Sequence, residues 1–334
     1  MTLRLCTYNI RFILDRYPER KNFLKEVIIG VDADVYCMQE VLVGGESFGQ
    51  QKFLQLCLNE RHRQSKLKRV YRHYDNCGFR LYCDALPFGL HYIFNNHMAS
   101  CFYDLCALFN EYYLSSILGK HIQYIYNGVI LRVLAFLVLG TAWVFGGSIL
   151  VNTAKIDGEI VMRHELLRIG GWRGVQHVLI SIGNKVVSIV NVHLSSSADQ
   201  EYTRVEEAKL ICEWISNIAS DRVIIAGDFN STPNGPCYSH FLKHGFKSSF
   251  VKSCGSEPDK TFHQNHSCIT KDIDEEATLD YIFYRGKLEL NESLVEGGVH
   301  MPAVSLIGQN AHPGDSTLYA SDHFGIVANF VLTD

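Results

Sequence analysis

Several features are scarce in this sequence of 334 residues, and each scarcity excludes a class of protein. The eleven cysteines include no Cys-x-x-Cys pair, and several lie in apolar runs, so we expect free buried thiols in a reducing compartment rather than a disulfide framework or a zinc site. The formal net charge is only −4, which gives no overall attraction to nucleic acid. No signal peptide precedes the first strand pattern at Leu3, so we expect an intracellular protein, cytoplasmic or nuclear.

What the sequence does contain is typical of a globular α/β protein. Apolar residues make up 47% of the chain and charged residues 20%, which is enough to bury a sizeable core. Strand patterns alternate with helix patterns at about 16–30, 50–66 and 201–219, and Gly30 is expected to cap the first helix. Because no linker interrupts this alternation, we predict a single domain over residues 1–334. A polar, turn-rich segment from Ser253 to Ala277 is predicted to be a long surface loop.

A hydrophobic insertion at about 85–145 is the least ordinary part of the chain. An apolar run from Val133 to Val151, which extends past the insertion, holds no charge and reaches the ~18 residues that a membrane span requires. Glycines interrupt this run, and Phe145 to Asn152 also has the pattern of a core strand. We therefore favour a hydrophobic helix followed by a core strand, and keep peripheral membrane contact through 133–151 as the alternative.

The central motif of the sequence is the stretch Val223 to Asn230. Four apolar residues, three of them β-branched, predict a short buried strand that ends at Gly227. Alternate side chains of a strand share one face, so Asp228 and Asn230 point the same way. A carboxylate beside an amide suits a water molecule, a metal ion or a phosphate.

Polar side chains of the same kind end four further strand patterns. The complete set is Asn9, Glu40, His193, Asp228, Asn230, Asp280, Asp322 and His323. Strand ends of a layered α/β fold lie along a common edge, where ligands usually bind. Glu40 with Asp322 would suit Mg²⁺, and each histidine is a candidate base that Asp280 or Asp228 could orient. The set therefore favours phosphoester hydrolysis.

Six short motifs, in order, resemble those of the endonuclease/exonuclease/phosphatase superfamily, whose members include deoxyribonuclease I. They are Thr7-Tyr8-Asn9-Ile10-Arg11, Gln39-Glu40, Asn191-Val192-His193-Leu194, Gly227-Asp228-Phe229-Asn230, Leu279-Asp280-Tyr281 and Ser321-Asp322-His323. The resemblance implies one catalytic domain that folds as a four-layer α/β sandwich, with two packed β-sheets flanked by helices. It also implies cleavage of a phosphoester with Mg²⁺, for which Mn²⁺ is the alternative ion.

The resemblance also implies roles for individual residues. Glu40 resembles the principal metal ligand of the family, with Asn9 and Asp322 near the metal. Asp228 and Asn230 resemble the pair that orients the attacking water and the phosphate.

For the two histidines, the resemblance implies different tasks. His323 resembles the histidine paired with a carboxylate, here Asp280, whereas His193 resembles the one that protonates or steadies phosphate oxygens. Arg173 resembles an arginine that meets the substrate phosphate in some members. The acid that supports the first histidine in nuclease members is missing from Phe145 to Ile149.

These observations predict a Mg²⁺-dependent hydrolase that cleaves a phosphodiester or phosphomonoester bond by in-line water attack. The basic stretch from Arg61 to Arg72 slightly favours a nucleic-acid substrate. The apolar insertion favours the alternative, a sphingomyelinase-like lipid phosphodiesterase acting on a headgroup at a membrane surface. A second alternative is an inactive binding module on the same fold. No obligate protein partner is inferred.

Overall fold

The computed structural model describes most of the chain on both sides of the hydrophobic insertion. The described residues are 1–12, 14–43, 49–64, 71–77, 144–153, 161–170, 173–218, 220–264, 275–296 and 298–334. The insertion predicted at about 85–145 lies outside them except at its end, so its boundaries and the single-domain assignment stay predictions.

Five α-helices and fifteen strands are found in the described part. The helices are α1 (Tyr17–Val31), α2 (Gln50–Gln64), α3 (Glu201–Ser216), α4 (Pro236–Lys243) and α5 (Ser249–Cys254), and a 3-10 turn, Ala198–Gln200, precedes α3. The first eight strands are β1 (Thr2–Asn9), β2 (Val35–Val43), β3 (Tyr71–Cys77), β4 (Val144–Asn152), β5 (Val161–Gly170), β6 (Arg173–Ile182), β7 (Lys185–His193) and β8 (Arg222–Asp228). The others are β9 (Lys247–Ser248), β10 (Asp280–Gly286), β11 (Leu288–Leu290), β12 (Val295–Glu296), β13 (Val299–His300), β14 (Val304–Ile307) and β15 (Gly325–Leu332).

Two mixed sheets carry the fold. In the described residues, the first sheet has seven strands in the order β11-β15-β1-β2-β4-β3, with β14 also paired to β15. The second has six strands in the order β5-β6-β7-β8-β10-β9. The short strands β12 and β13 form a separate pair.

Apolar side chains fill three spaces around these sheets. The central cluster joins side chains of both sheets, among them Leu5, Val35, Ile149, Val178 and Ile224. A second cluster packs α3 and α4 on the outer face of the second sheet, and a third packs α1 and α2 on the outer face of the first. Burying apolar surface on both faces of both sheets gives the helix–sheet–sheet–helix order. The predicted four-layer α/β sandwich is confirmed.

The end of the apolar run 133–151 is a core strand, as the favoured interpretation of the sequence predicted. Strand β4 lies between β2 and β3, and its residues Ile149, Leu150 and Val151 are buried. The remainder of the apolar run, 133–143, lies outside the described residues. No helix in the described part of the chain is long and apolar enough to cross a membrane.

Two local predictions are wrong. Helix α1 continues through Gly30 to Val31, and the left-handed cap is Asp32, with φ of 51°. The segment 253–277 is more than a surface loop, because Thr261, Phe262 and His263 are buried and Phe262 pairs with both Ala277 and His323. These three residues are buried by strands that are distant in sequence. A pattern in the local sequence cannot predict such burial.

Candidate active site

Three of the predicted site residues lie side by side at one end of the second sheet. Strand β7 runs parallel to β8 with His193 opposite Asp228, and β10 runs antiparallel to β8 with Asp280 opposite the same residue. Gly227 permits this close pairing, because a Cβ atom there would stand 2.0 Å from the carbonyl oxygen of Val192. Its φ of 150° is also one that only glycine adopts readily.

The first sheet supplies Asn9 and Glu40 to the same edge. Asn9 is the last residue of β1, and its Cα partner on the parallel strand β2 is Gln39. The pairing of β2 with β4 shifts register between Met38 and Val41, and Glu40 has a left-handed φ of 51°. Such a bulge redirects one side chain, and a non-glycine residue with positive φ often marks a functional position.

Asn9 connects the two sheets. Its Nδ2 atom donates to Oε1 of Glu40 at 3.3 Å and to Oδ2 of Asp228 at 3.0 Å. The same atom lies 3.5 Å from Nε2 of His323. The predicted residues therefore converge on one point of the seam between the sheets.

Two histidines lie on either side of Asp228. The Nε2 atom of His193 is 3.6 Å from Oδ2 of Asp228 and 3.9 Å from Oε1 of Glu40. The Nδ1 atom of His323 is 2.8 Å from Oδ2 of Asp280, and its Nε2 is 3.8 Å from Oδ2 of Asp228. The structure thus brings Asp280 and His323 together as the sequence predicted.

Crowding of charges shifts the protonation of this group. Burial opposes the charge of His323, but Asp280 and Asp228 outweigh it and raise the pKa of the imidazole to about 10. Burial and the neighbouring Asp280 raise the pKa of Asp228 to about 7. His323, which forms a dyad with Asp280, is therefore an imidazolium at neutral pH. It lies in a site with an excess of carboxylates.

Asp322 lies behind this group, paired with an arginine that the sequence prediction left out of the site. The Nε atom of Arg11 is 3.0 Å from Oδ2 of Asp322, and its Nη1 is 4.0 Å from Oε2 of Glu40. Although burial opposes ionisation, Arg11 keeps the pKa of Asp322 below its usual value. Arg11 stands in the first quoted motif, but only the fold shows which acid it meets.

Asn230 and Arg173 are the two remaining residues of the predicted site. Asn230 has a left-handed φ of 50°, and its backbone N–H donates to Oδ1 of Asp228 at 2.9 Å. Its Nδ2 donates to the carbonyl of Leu194 at 3.1 Å, which fixes the amide beside the strand ends. Arg173 begins β6, but its side chain lies outside the described part of the structure.

A buried arginine that sequence reasoning missed holds the loops that carry the site. The side chain of Arg20 is 1% exposed and is aimed at main-chain carbonyls rather than at an acid. Its guanidinium donates to the carbonyl oxygens of Ile10, Arg11, Phe12, Leu14, Asp15 and Ala320. These bonds join the loop after β1, which carries Arg11, to the segment that leads to Asp322. A buried arginine gives no periodic signal, so the sequence alone could not single it out.

The buried segment 261–263 contacts the residues of the Asp280–His323 dyad and the strand end that carries them. Oγ1 of Thr261 accepts the backbone N–H groups of Leu279 and Asp280 at 2.9 and 3.0 Å. The ring of Phe262 lies 5.2 Å from that of His323, centroid to centroid. His263 Nε2 lies 3.1 Å from the carbonyl oxygen of Ser321. These residues position Asp280 and His323 without reaching the open side of the site.

A chain of buried amides ties the two sheets together beneath the site. Gln39 Nε2 donates to Oδ1 of Asn191 at 2.7 Å, and Asn191 Nδ2 donates to Oε1 of Gln176 at 2.9 Å. Gln39 comes from the first sheet and the other two from the second. Hydrogen bonds between buried amides are directional and strong in a low-dielectric interior, so this chain helps fix the relative position of the two sheets.

Oxygen donors at the open side of the site fit a hard divalent cation. The Glu40 side chain retains 11% of its exposure, whereas that of Asp228 retains 2%. Carboxylate and amide oxygens with room for water are what Mg²⁺ prefers. Asp228, Asp280 and His323 are also close enough together to share an ion. Their full burial and the hydrogen bond from His323 to Asp280 favour a proton-transfer group instead.

Comparisons with known proteins agree with this geometry. The family model described as "Endonuclease/Exonuclease/phosphatase family" matches residues 6–323. The fold and the family match thus define a class of α/β-sandwich hydrolases. Members of this class are generally phosphoesterases or nucleases that depend on a divalent metal. Because the match spans most of the chain, this protein belongs to the endonuclease/exonuclease/phosphatase family. No curated protein sequence matches it significantly.

Solved structures with the same fold are distant in sequence. A family member from Bacteroides vulgatus superposes with a TM-score of 0.59 at 16% identity, covering 99% of each chain. The human Nocturnin catalytic domain with bound sulfate has a TM-score of 0.58 at 16% identity, covering 99% of this chain and 95% of that one. The D. rerio TDP2 complex with a single-strand DNA product has a TM-score of 0.54 at 11% identity, covering 99% of each chain. At these identities the likeness concerns the fold alone.

Proposed function

We propose that this protein hydrolyses a phosphodiester bond with the help of Mg²⁺, by in-line attack of water. The observation that carries the proposal is the convergence on Asn9. Its amide is shared between Glu40, a carboxylate whose side chain is 11% exposed and suits a metal ion, and Asp228, a more deeply buried carboxylate placed between two histidines. Metal-assisted hydrolysis needs a cation, a base and a cationic stabiliser within a few ångströms of one phosphate.

Residues that would hold the cation are Glu40, Asn9 and Asp322. A bound Mg²⁺ would neutralise charge on the phosphate oxygens and on the leaving oxygen. Mn²⁺ has similar preferences for oxygen ligands and is the expected substitute. Arg11 pairs with Asp322 and lowers the pKa of that carboxyl, which favours the charged form that a cation requires. The Nη1 atom of Arg11 also lies 4.0 Å from Oε2 of Glu40.

The other residues act on the water and on the phosphate. Asp228 and Asn230 orient the attacking water, and Asp228 takes up its proton as the new phosphorus–oxygen bond forms. The opposite phosphorus–oxygen bond breaks, and a proton from His193 turns the leaving oxygen into a hydroxyl group. The imidazolium of His323, held by Asp280, stabilises the extra negative charge that develops on the phosphate.

We infer a nucleic-acid substrate in preference to a lipid headgroup. Support comes from the basic stretch Arg61 to Arg72 and from the fold shared with D. rerio TDP2, which was solved with a single-strand DNA product. A lipid headgroup remains the second candidate because of the apolar run 133–143, through which peripheral membrane contact would occur. The protein is proposed to act on its phosphoester without an obligate protein partner, inside the cell.

A direct experiment compares the purified protein in Mg²⁺ and in EDTA on single-stranded DNA, RNA, sphingomyelin vesicles and inositol phosphates. We expect cleavage of a nucleic acid in Mg²⁺ and none in EDTA. Glu40→Gln keeps the size of the side chain but removes a negative charge from the site, so turnover should fall by about 10²-fold or more. Glu213→Gln, an exposed carboxylate on α3, is the matched control and should not change turnover.

Each alternative has its own outcome in this experiment. Hydrolysis of sphingomyelin alone would establish the lipid substrate. Undiminished turnover in EDTA, or in Glu40→Gln, would refute the metal assignment. Tight binding of a phosphoester without turnover in any divalent metal would establish the inactive binding module.

A further inference from the structure

A second group of metal-ligating side chains lies away from the strand ends, on the helical layer that covers the second sheet. Cys212 belongs to α3, His240 to α4, and His244 directly follows α4. One ligand atom from each of these residues lies within 4.8 Å of the other two. Cys212 is a buried free thiol, His240 is half-buried and His244 is exposed, so the group opens to solvent on one side.

The end of α4 fixes the two histidines on one face. They are four residues apart, which places side chains one above the other on a helix. The backbone N–H of His244 donates to the carbonyl of His240 at 3.2 Å. Gly245, with φ of 79°, then reverses the chain so that the N–H of Phe246 reaches the carbonyl of Phe241 at 3.2 Å. His244 is thereby held against the last turn of the helix.

Both imidazoles are set up for metal binding. The Nδ1 atom of His244 lies 2.8 Å from the carbonyl oxygen of His240, so Nδ1 carries the proton and Nε2 keeps its lone pair. Ligating histidines usually donate their other N–H group to a carbonyl or carboxylate in this way. The Nε2 atom of His240 is buried with no hydrogen-bond partner. A buried polar atom without a partner is costly and calls for a ligand.

We propose that Cys212, His240 and His244 bind one Zn²⁺ ion, with water completing a tetrahedral site. One thiolate and two imidazoles suit this borderline-soft ion and do not suit Mg²⁺. Zinc bonds of about 2.3 Å to sulfur and 2.0 Å to nitrogen separate neighbouring ligand atoms by roughly 3.5 Å. The group must therefore close by about 1 Å, which side-chain rotation of the exposed His244 can supply.

Charged side chains of both signs surround the group: Lys209, Lys243 and Glu206 lie near His240, and Arg285 lies near Cys212. The guanidinium of Arg285 is held by the carbonyl oxygen of His244 at 3.1 Å. Burial and the neighbouring His244 lower the pKa of His240, so its imidazole is neutral, as a ligand must be. Lys209 lies nearby, but its ammonium is paired with Glu206 at 2.7 Å. Burial raises the pKa of the Cys212 thiol to about 11, so zinc binding would release a proton from it.

The sequence shows only part of this proposed zinc site. His240 and His244 have the H-x₃-H spacing of many zinc sites, but the cysteine precedes them on another helix. A search for paired cysteines therefore missed it. The ion would clamp α3 to the end of α4, at a place where no residue of the hydrolytic site is involved.

The test uses the full chain and Co²⁺, a coloured substitute for zinc whose thiolate ligands give a charge-transfer band. Titration should produce this band with an end point at one equivalent, and Zn²⁺ should abolish it by competition. Cys212→Ser should remove the band, and His244→Ala should weaken binding by more than about 100-fold. Cys254→Ser, an exposed thiol on α5, is the matched control and should leave the titration unchanged.

Folding and the catalytic metal are controlled separately. His244 is exposed, so its replacement should leave the far-ultraviolet circular dichroism unchanged. Zn²⁺ should raise the melting temperature of the wild type but not that of His244→Ala. The band should also persist in Glu40→Gln, so that failure of the hydrolase proposal would not affect this one. Absence of a thiolate band, or its persistence in Cys212→Ser, would overturn the zinc site.

Discussion

Asp280 and His323 act as a unit at the level of single residues, because one carboxylate oxygen holds the imidazole at 2.8 Å and helps keep it charged. Asp280→Asn and His323→Ala should each lower kcat by about 10²-fold or more, and the double variant should be little worse than either. Steady-state kinetics on folded protein checks this prediction. Asp259→Asn, an exposed acid, is the control. Additive losses in the double variant would show that the two residues act separately.

Arg20 should matter for stability more than any exposed arginine does. Its guanidinium donates to six carbonyl groups in buried or partly buried hydrogen bonds, and a lysine has too few donors to replace it. Arg20→Lys should reduce the free energy of unfolding by about 3 kcal/mol or more. The half-exposed Arg16→Lys should cost less than about 1 kcal/mol. Urea denaturation measures both, and equal losses would contradict the role given to Arg20.

The sequence could predict a site residue where its position follows from the alternating pattern of a strand. It could not do so where the position depends on a loop or a bulge. His193 and Asp228 end the neighbouring strands β7 and β8, and Asp280 begins the antiparallel strand β10, so all three lie at one edge of the sheet, as the strand patterns predicted. The pairing of Arg11 with Asp322 could not be predicted, because it depends on a loop conformation with positive φ at Arg11. The bulge at Glu40 was equally invisible, since a register shift needs knowledge of the partner strand.

Among the elements, two glycines should respond in opposite ways to replacement by alanine. Gly30 lies inside α1, where an added Cβ atom meets nothing within 4 Å. Gly30→Ala should therefore stabilise the protein by up to about 1 kcal/mol. Gly227→Ala should prevent folding or cost several kcal/mol, because its Cβ atom would overlap the carbonyl of Val192 on β7.

Thermal denaturation with circular dichroism distinguishes the two variants. Destabilisation by Gly30→Ala would mean that Gly30 needs a left-handed backbone, as the original cap prediction assumed. A stable Gly227→Ala variant would show that β7 and β8 can separate without loss of the fold.

Elements were predicted well where amphipathic periodicity was long and poorly where burial came from distant contacts. Helix α3 forms within the range 201–219 that the pattern predicted. Thr261 to His263 was assigned to a surface loop because its neighbours are polar. Its burial comes from β10 and from the segment before β15, which no window of local sequence includes.

For the molecule as a whole, the site's charges predict how stability depends on pH in the metal-free protein. Folding raises the pKa of His323 from 6.5 to about 10, so its contribution is complete below about pH 6.5 and is lost as pH rises through 10. Folding raises that of Asp228 from 3.8 to about 7, so the native state also holds more protons over that range. His263 acts in the opposite sense between pH 4 and 6.5, because burial lowers its pKa to about 4. The free energy of unfolding in EDTA should therefore fall as pH rises from about 6.5 to 10.

Urea denaturation at several pH values in EDTA measures this slope. Asp280→Asn removes the main attraction that keeps His323 protonated, so the decline above pH 6.5 should become smaller in this variant. A stability that increases steadily towards pH 10 would contradict the assignment of an imidazolium at His323.

The hydrogen bond of 3.0 Å between Asn9 and Asp228 joins groups that belong to different sheets. Each sheet is held by its own ladder of main-chain bonds, whereas their relative placement depends on side-chain packing and the amide chain through Gln39 and Asn191. A slide of about 1 Å between the sheets would break the constellation and leave every strand intact, and misplacements of that size can cost 10²-fold in rate. Turnover is thus a more sensitive gauge of sheet alignment than any spectroscopic measure of strand content.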